Sequence, residues 1–247
     1  MDDLAARAIG SNAACFSGLC AGSPGFRRLT QPGLLALATP AAPERPLFNV
    51  TFALAPGSVS GAYDELERFY RDAGIPGWTV FVDPGDESSA AVLAEQGHVL
   101  DSEPRLMGAP ATEVAGAGDP ALELLRDPDA SVIAALNDAV YGYPGSFARA
   151  LVSLDHHHGL AVVDGEEPVS CALAHDTSGD CHITLVATLA AHRGNGYAGD
   201  LVRALVREGV ARGCTTTTLI ATRAGASVYE RLGYRDAGYL QMWERLM

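Results

Sequence analysis

At 247 residues, the chain is long enough for one large domain or for two domains of about 120 residues each. Its composition, 48% hydrophobic and 19% charged residues, describes a globular protein with a sizeable core and excludes a disordered chain. The formal net charge of −13 argues against a nucleic-acid-binding protein, because affinity for phosphates comes from clustered basic residues. All 17 basic residues are Arg, a composition typical of high-GC bacteria.

The cysteines indicate neither a disulfide framework nor a zinc site, because they are scattered, odd in number and without a CxxC pair. They are Cys15, Cys20, Cys171, Cys181 and Cys214. No apolar run reaches the ~18 residues of a membrane helix, and the start Met-Asp-Asp lacks the basic residues of a signal peptide. We therefore expect a cytoplasmic protein with reduced thiols, no bound metal and no membrane partner.

The first half of the chain alternates strand and helix patterns. Residues 48–54 and 79–82 resemble strands, and residues 63–73 and 90–96 resemble helices. A stretch rich in Gly, Ala and Pro follows at residues 108–120 and predicts a domain boundary.

The second half begins with two helices and a three-stranded meander. The helices are predicted at residues 129–141 and from Pro144 to Leu151, and the strands at residues 160–163, 169–174 and 182–188. The pattern then changes to an amphipathic helix over residues 198–210, a strand at 215–221, a helix at 224–232 and a last strand at 239–246. This order predicts an α/β (α+β type) fold, with a mixed, mostly antiparallel sheet flanked by helices.

The two halves resemble each other, which favours an internal duplication over one large domain. Residues 94–98 correspond to residues 230–234, each passage ending a helix and leading through a polar turn to an apolar segment. We therefore expect two domains, at residues 1–112 and 113–247.

The segment Arg193–Gly199 joins a strand to the amphipathic helix and is rich in glycine. Glycine lets the backbone turn tightly and approach a ligand, and the free N–H groups of a first helical turn attract anions. No Gly-Lys-Ser/Thr follows, which excludes a P-loop. The preceding meander and the glycine spacing exclude a dinucleotide fold. The segment predicts phosphate binding by backbone amides.

The pattern Arg193-x-x-Gly196-x-Ala198 resembles the signature of the GCN5-related N-acetyltransferases. Residues 228–234, Val-Tyr-Glu-Arg-Leu-Gly-Tyr, look like the same family's Leu-Tyr-Glu-Lys-Leu-Gly-Phe passage. The resemblance covers about residues 121–247. The first half has Pro-Gly-Ser-Val-Ser-Gly at residues 56–61 where this loop belongs, so it is expected to be a degenerate copy that has lost cofactor binding.

The resemblance implies acetyl-CoA as co-substrate. Its pyrophosphate would lie on Arg193, Gly194, Asn195, Gly196, Tyr197, Ala198 and Gly199. Its pantetheine arm would lie along Leu185, Val186, Ala187, Thr188 and Leu189. Tyr229 would be the catalytic residue that donates a proton or hydrogen bond to the departing sulfur. Thr222 stands where the family often has Asn, and Ala190 where it often has Pro.

The acceptor and the general base are not indicated by any motif. His182 has a suitable intrinsic pKa and lies on the relevant strand, yet a lone strand histidine is more often structural. The run His156-His157-His158 predicts a solvated loop rather than a metal site, because adjacent residues rarely point at one ion. The sequence predicts an N-acetyltransferase acting by direct attack of a primary amine of a small molecule or peptide. The alternative is a non-catalytic acyl-CoA-binding module. Whether the chain acts alone or as a homodimer stays open.

Overall fold

The structure is a computed structural model that describes residues 3–116 and 123–245. The first of these ranges contains four helices: α1 (Asp3–Cys20), α2 (Ser58–Asp72), α3 (Glu87–Glu95) and α4 (Ala111–Ala115). Its strands are β1 (Arg27–Gln31), β2 (Leu34–Ala38), β3 (Val50–Ala53), β4 (Trp78–Val82), β5 (Val99–Ser102) and β6 (Arg105–Pro110). We call this range the first copy.

The range 123–245, which we call the second copy, also contains four helices. They are α5 (Ala130–Tyr141), α6 (Ser146–Ala150), α7 (Tyr197–Ala211) and α8 (Ala226–Leu232). Its strands are β7 (Leu124–Arg126), β8 (His157–Asp164), β9 (Glu167–Thr177), β10 (Asp180–Thr188), β11 (Thr216–Ala221), β12 (Arg235–Tyr239) and β13 (Gln241–Arg245). Every helix and strand predicted for this half has a counterpart here.

The two copies build sheets on the same plan. The first sheet has the order β1-β2-β3-β4-β13-β5, and the second has the order β12-β6-β11-β10-β9-β8-β7. In each sheet a single neighbouring pair is parallel, β3 with β4 and β10 with β11, and the other described pairs are antiparallel. The repeated plan confirms the mixed, mostly antiparallel fold and the tandem arrangement.

The copies exchange one strand each. Strand β6 of the first copy lies between β11 and β12 in the second sheet, and β13 of the second copy lies between β4 and β5 in the first sheet. Both exchanged strands are hydrogen-bonded on both sides. The division into domains at residues 1–112 and 113–247 therefore stays a prediction. Residues 117–120, which belong to the stretch predicted as the domain boundary, lie outside the described residues.

The structure contains several elements that the sequence did not predict, among them α1, β1, β2, β6, β7 and β12. Helix α1 was not predicted, because its apolar residues are mostly small and are buried on most sides rather than along one stripe. Residues 235–238 were predicted as a polar turn and instead form, with Tyr239, the edge strand β12. Its register shifts between Asp236 and Gly238, so the alternation typical of a strand is absent. Strand β13 therefore begins at Gln241; Leu246 of the predicted strand lies outside the described residues.

Helix α1 joins the copies through buried histidines of the second sheet. The imidazole of His182 is fully buried, 3.0 Å from Thr218 Oγ1 and 3.2 Å from Asn12 Oδ1 of α1. The Nε2 atom of His157 lies 3.7 Å from the Sγ atom of Cys15, also on α1. Burial lowers the pKa of His182 to about 3 and that of His157 to about 4. Both rings are therefore uncharged in the folded protein.

All five cysteines are free and buried. Among the helices of the two described ranges, none has the length and apolar composition needed to cross a membrane.

The strand exchange predicts that neither copy folds alone. We expect a chain cut between residues 118 and 119 to give two fragments that are unfolded separately and form a folded 1:1 complex when co-expressed, because each supplies an inner strand of the other's sheet. Circular dichroism and size-exclusion chromatography measure this. A folded, monomeric fragment with a cooperative melting transition would contradict the prediction.

The buried histidines predict loss of stability in acid. The unfolded chain binds protons below pH 6.5, the ordinary histidine pKa, whereas His182 and His157 resist protonation until about pH 3 and 4. The free energy of unfolding is therefore highest above pH 6.5 and falls toward those values, by about 1.4 kcal/mol per pH unit for each group. Urea unfolding at several pH values measures the slope. His182→Gln should reduce the dependence of the free energy of unfolding on pH. The control His156→Asn, which changes an exposed histidine, should leave that dependence as in the wild type.

Candidate functional site

A β-bulge interrupts β10 and opens a gap in the second sheet. The register of β10 with β9 shifts between Thr184 and Ala187, and Leu185 has φ +46°, which is uncommon for a residue other than glycine. The parallel pairing of β10 with β11 ends at Ile183, opposite Leu219. Beyond this point the two strands are not paired with each other, so a wedge opens between them.

The glycine-rich loop follows β10 at the mouth of this wedge. Gly194 has φ +86° and Gly196 φ +84°, a left-handed conformation that glycine adopts without steric cost. Gly196 is the N-terminal cap of α7, and no side chain caps that end. Within the described part of the chain, the backbone N–H groups of residues 194–199 make no hydrogen bond. These free donors, at the positive end of the helix dipole, form a seat for an anion.

The loop and the wedge open into one groove of about 680 Å³. Three arginines line it, Arg193, Arg203 and Arg231, together with a single carboxylate, Asp200. In a protein with net charge −13, this local excess of positive charge favours a polyanionic ligand.

The groove brings together most of the residues expected to bind cofactor. It is lined by Val186, Thr188, Arg193, Gly194, Asn195, Gly196, Tyr197, Ala198, Gly199, Thr222 and Tyr229. It is not lined by Leu185, Ala187 or Leu189, whose side chains pack in the cores. The hydroxyl of Thr222 accepts a hydrogen bond from the N–H of Gly225 at 3.2 Å, so it supports the turn before α8.

Tyr229 lies on α8 with its ring edge-to-face against Tyr234, the ring centroids 6.0 Å apart. Its hydroxyl makes no hydrogen bond within the described ranges and faces the groove. Burial, with Tyr141 adding to the effect, raises the pKa of Tyr229. The phenol therefore stays protonated at neutral pH, and it can donate a hydrogen bond.

The sequence did not indicate Tyr141, which lines the same groove from the end of α5. Its ring is 42% exposed, although it sits at the end of an otherwise apolar helix. The position of Tyr141 before a turn at Gly142, which has φ +73°, was the available signal. The ring also stacks on that of the buried Phe147 of α6, with the ring centroids 6.0 Å apart.

The histidines considered from the sequence, His182 and His156 to His158, do not line the groove. His182 is buried against α1 and does not line the groove, which contradicts the role of general base. His157 and His158 lie on β8 and His157 is buried, so only His156 agrees with the expected solvated loop; His158 Nε2 lies 3.8 Å from an Asp176 carboxylate oxygen. Among the residues that the structure describes, no three His, Cys, Asp or Glu side chains are placed to hold a metal ion.

The first copy has a corresponding helix start, at α2, but there a carboxylate of the chain itself occupies the position of the anion. Gly57 caps α2 with φ +74°, as Gly196 caps α7, and its N–H donates to Asp86 Oδ2 at 2.9 Å. Burial opposes ionisation of Asp86, but hydrogen bonds from Ser89, Gly57 and Ser88 outweigh it and lower its pKa. A carboxylate of the chain itself therefore neutralises this helix end.

Comparison with known proteins agrees with this geometry. Residues 122–234 match the acetyltransferase (GNAT) family. A GCN5-related N-acetyltransferase from Kribbella flavida has 18% identity and a TM-score of 0.69, over 97% of this chain and 95% of that chain. A protein described as an acetyltransferase of the GNAT family, from Novosphingobium aromaticivorans, has 19% identity and a TM-score of 0.63, over 98% of both chains.

A tandem GNAT protein from the clavulanic acid biosynthesis pathway has 12% identity and a TM-score of 0.62, over 97% of this chain and 94% of that chain. At these identities the structures show a shared fold. The comparison with curated proteins finds no match.

Proposed function

We propose that the chain, whose residues 122–234 match the acetyltransferase (GNAT) family, transfers an acetyl group from acetyl-CoA to a primary amine of a small molecule or peptide. The observation that carries the proposal is the row of free backbone N–H groups at residues 194–199, at the mouth of a wedge between two separated strands. A nucleotide pyrophosphate fits the first feature, and a narrow acyl-bearing arm fits the second.

In the proposed complex, the pyrophosphate oxygens accept hydrogen bonds from the amides of the loop and are neutralised by Arg193, Arg203 and Arg231. The pantetheine arm follows the backbone of residues 185–189 into the wedge. The bulge at Leu185 matters here, because the pairing of β10 with β11 ends two residues before it, which leaves the edge of β10 that faces β11 without a strand partner.

The reaction joins the amine nitrogen to the acetyl carbon as the carbon–sulfur bond breaks. The amine must be neutral when it attacks, and it gives a proton to solvent. The coenzyme leaves as a thiolate, which develops negative charge beside Tyr229. Because its pKa is raised, the Tyr229 hydroxyl acts as a hydrogen-bond donor to this sulfur rather than as a base. Holding both reactants in one groove supplies much of the remaining acceleration.

The alternative is a module that binds acyl-CoA without turning it over. Both functions predict coenzyme binding, so turnover distinguishes them. Release of free thiol from acetyl-CoA in the presence of an amine library supports the enzyme. Binding measured by calorimetry, with no acetylation of any amine, supports the module.

Ala198→Glu tests the anion seat without disturbing the fold. A carboxylate in the first turn of α7 interacts favourably with the helix dipole, so the free energy of unfolding should stay the same or rise by up to about 1 kcal/mol. The same charge repels the pyrophosphate, so the dissociation constant for coenzyme A should increase by about 10-fold or more. Calorimetry and urea unfolding measure the two effects.

The matched control is Gly61→Glu, which adds a carboxylate near the start of α2, where a Cβ atom meets nothing within 4 Å. It should leave affinity unchanged, and wild-type protein should bind one coenzyme per chain. Equal affinity of the Ala198→Glu variant and the wild type would refute the proposed seat.

Tyr229→Phe tests the role in catalysis. Loss of the hydroxyl should lower kcat by about 100-fold, the usual effect of removing one proton or hydrogen-bond donor from a reacting centre. The dissociation constant for acetyl-CoA should change little. Because the pKa of Tyr229 is raised above its ordinary value of 10, wild-type kcat should not fall as the pH rises to 10. A falling limb below pH 10 that the variant lacks would show that Tyr229 titrates there instead.

A further inference from the structure

An arginine of the first copy packs against the segment of the second copy that follows Tyr141. Arg45 lies in the loop after β2, and the centre of its guanidinium lies 3.6 Å from the centroid of the Tyr143 ring in the second copy. Its Nε atom is buried and has no hydrogen-bond partner in the described structure. A flat guanidinium stacked on an aromatic ring keeps its N–H edge free for a ligand.

The carboxylate next to it in sequence does not neutralise this arginine. Glu44 accepts a hydrogen bond from Ser146 Oγ at 2.7 Å and pairs with Arg149, both on α6. Arg149 also donates from Nε to the Ala41 carbonyl at 2.8 Å. These contacts bind the loop to the second copy, and they leave Arg45 without an ion pair in the described ranges.

Tyr141 connects this arginine to the reacting centre. It lines the groove two residues before Tyr143. Burial raises the pKa of Tyr141 and Cys171 adds to the rise, while the charges of Arg45 and Arg193 oppose it. The charges of Arg45 and Arg193 therefore both affect the pKa of the Tyr141 hydroxyl. Tyr141 in turn contributes to the raised pKa of Tyr229. A molecule lying on Tyr141 and Tyr143 would have Arg45 at one end and the thioester at the other.

We propose that Arg45 binds an anionic group of the acceptor, and that the acceptor is a small amine carrying one carboxylate. This inference rests on the acetyltransferase function proposed above and names its substrate class. The recognition residue would come from the first copy, so this degenerate copy, which is expected to have lost cofactor binding, would take part in selecting the acceptor.

The surrounding charges favour a carboxylate over a phosphate. The half-buried carboxyl of Glu244 accepts a hydrogen bond from Thr79 Oγ1 at 3.2 Å. Burial and the nearby charge of Asp101 raise its pKa, whereas Arg45 opposes the rise. Because these acidic groups lie close by, the single positive charge of Arg45 can neutralise one negative charge of a ligand. A phosphate dianion would keep a negative charge that no group neutralises.

The test uses pairs of acceptors that differ only in the anionic group. Amino acids and ω-amino acids are compared with the matching amides, and aminoalkyl phosphates form a third series. Wild-type kcat/KM should favour the carboxylates over their amides by about 10- to 100-fold, the usual value of a charge-assisted hydrogen bond. Arg45→Met should remove this preference, and Arg45→Lys should keep part of it. Arg68→Met, which changes an exposed arginine on α2, is the control and should behave as wild type.

Acetyl-CoA affinity is measured separately for each variant and should not change. Absence of acetyl-CoA binding to the wild type would refute the proposed function itself. Given binding, three results would overturn the inference about Arg45: equal or better acetylation of the amides, a preference for the phosphates, or no acetylation in any series. A carboxylate preference that survives Arg45→Met would also overturn it.

Discussion

The hydrogen bonds of the two exchanged strands hold the whole molecule together. Strand β6 is bonded to β11 and β12, and β13 to β4 and β5, so each sheet has an inner strand contributed by the other copy. Removing such a strand would leave two rows of buried backbone groups without partners, which is costly. The copies are therefore fixed against each other, rather than connected as two independent domains with a mobile interface.

This fixed arrangement holds a loop of one copy against a helix of the other. The loop at Ala41–Arg45 reaches α6 through Glu44 and Arg149, and α6 follows directly on the segment that carries Tyr141 and Tyr143. The duplicated helix starts have then taken different electrostatic roles. At α7 the amides are free, whereas at α2 Asp86 occupies the equivalent position. One backbone plan thus provides an anion site in one copy and a closed scaffold in the other.

The sequence predicts the parts of this structure that are encoded locally. The loop from Arg193 to Gly199, the helix after it and the passage around Tyr229 all have patterns that extend over a few residues. The positions of β6 and β13 could not be predicted, because strand pairing across more than 100 residues leaves no trace in local periodicity. The bulge at Leu185 has no signature either, since leucine does not normally adopt positive φ.

Arg45 was not found for the same reason: its significance depends on a tyrosine almost 100 residues away and on a neighbouring glutamate that is already paired. His182 illustrates the opposite error, because a suitable intrinsic pKa suggested a base. Contact with α1, which the sequence did not reveal as a helix, buries the ring and lowers its pKa to about 3.

The absence of an identified base becomes understandable once the charges around the groove are considered together. An amino carboxylate has no net charge in water, so the acidic surface, with net charge −13, does not repel it as it would an anion. Inside the groove, Arg45 would compensate the carboxylate. Partial burial disfavours an ammonium group, and would therefore lower the pKa of the bound amine. In the proposed reaction, such an amine would lose its proton to water, and the chain would need to supply only the hydrogen bond from Tyr229 to the departing sulfur.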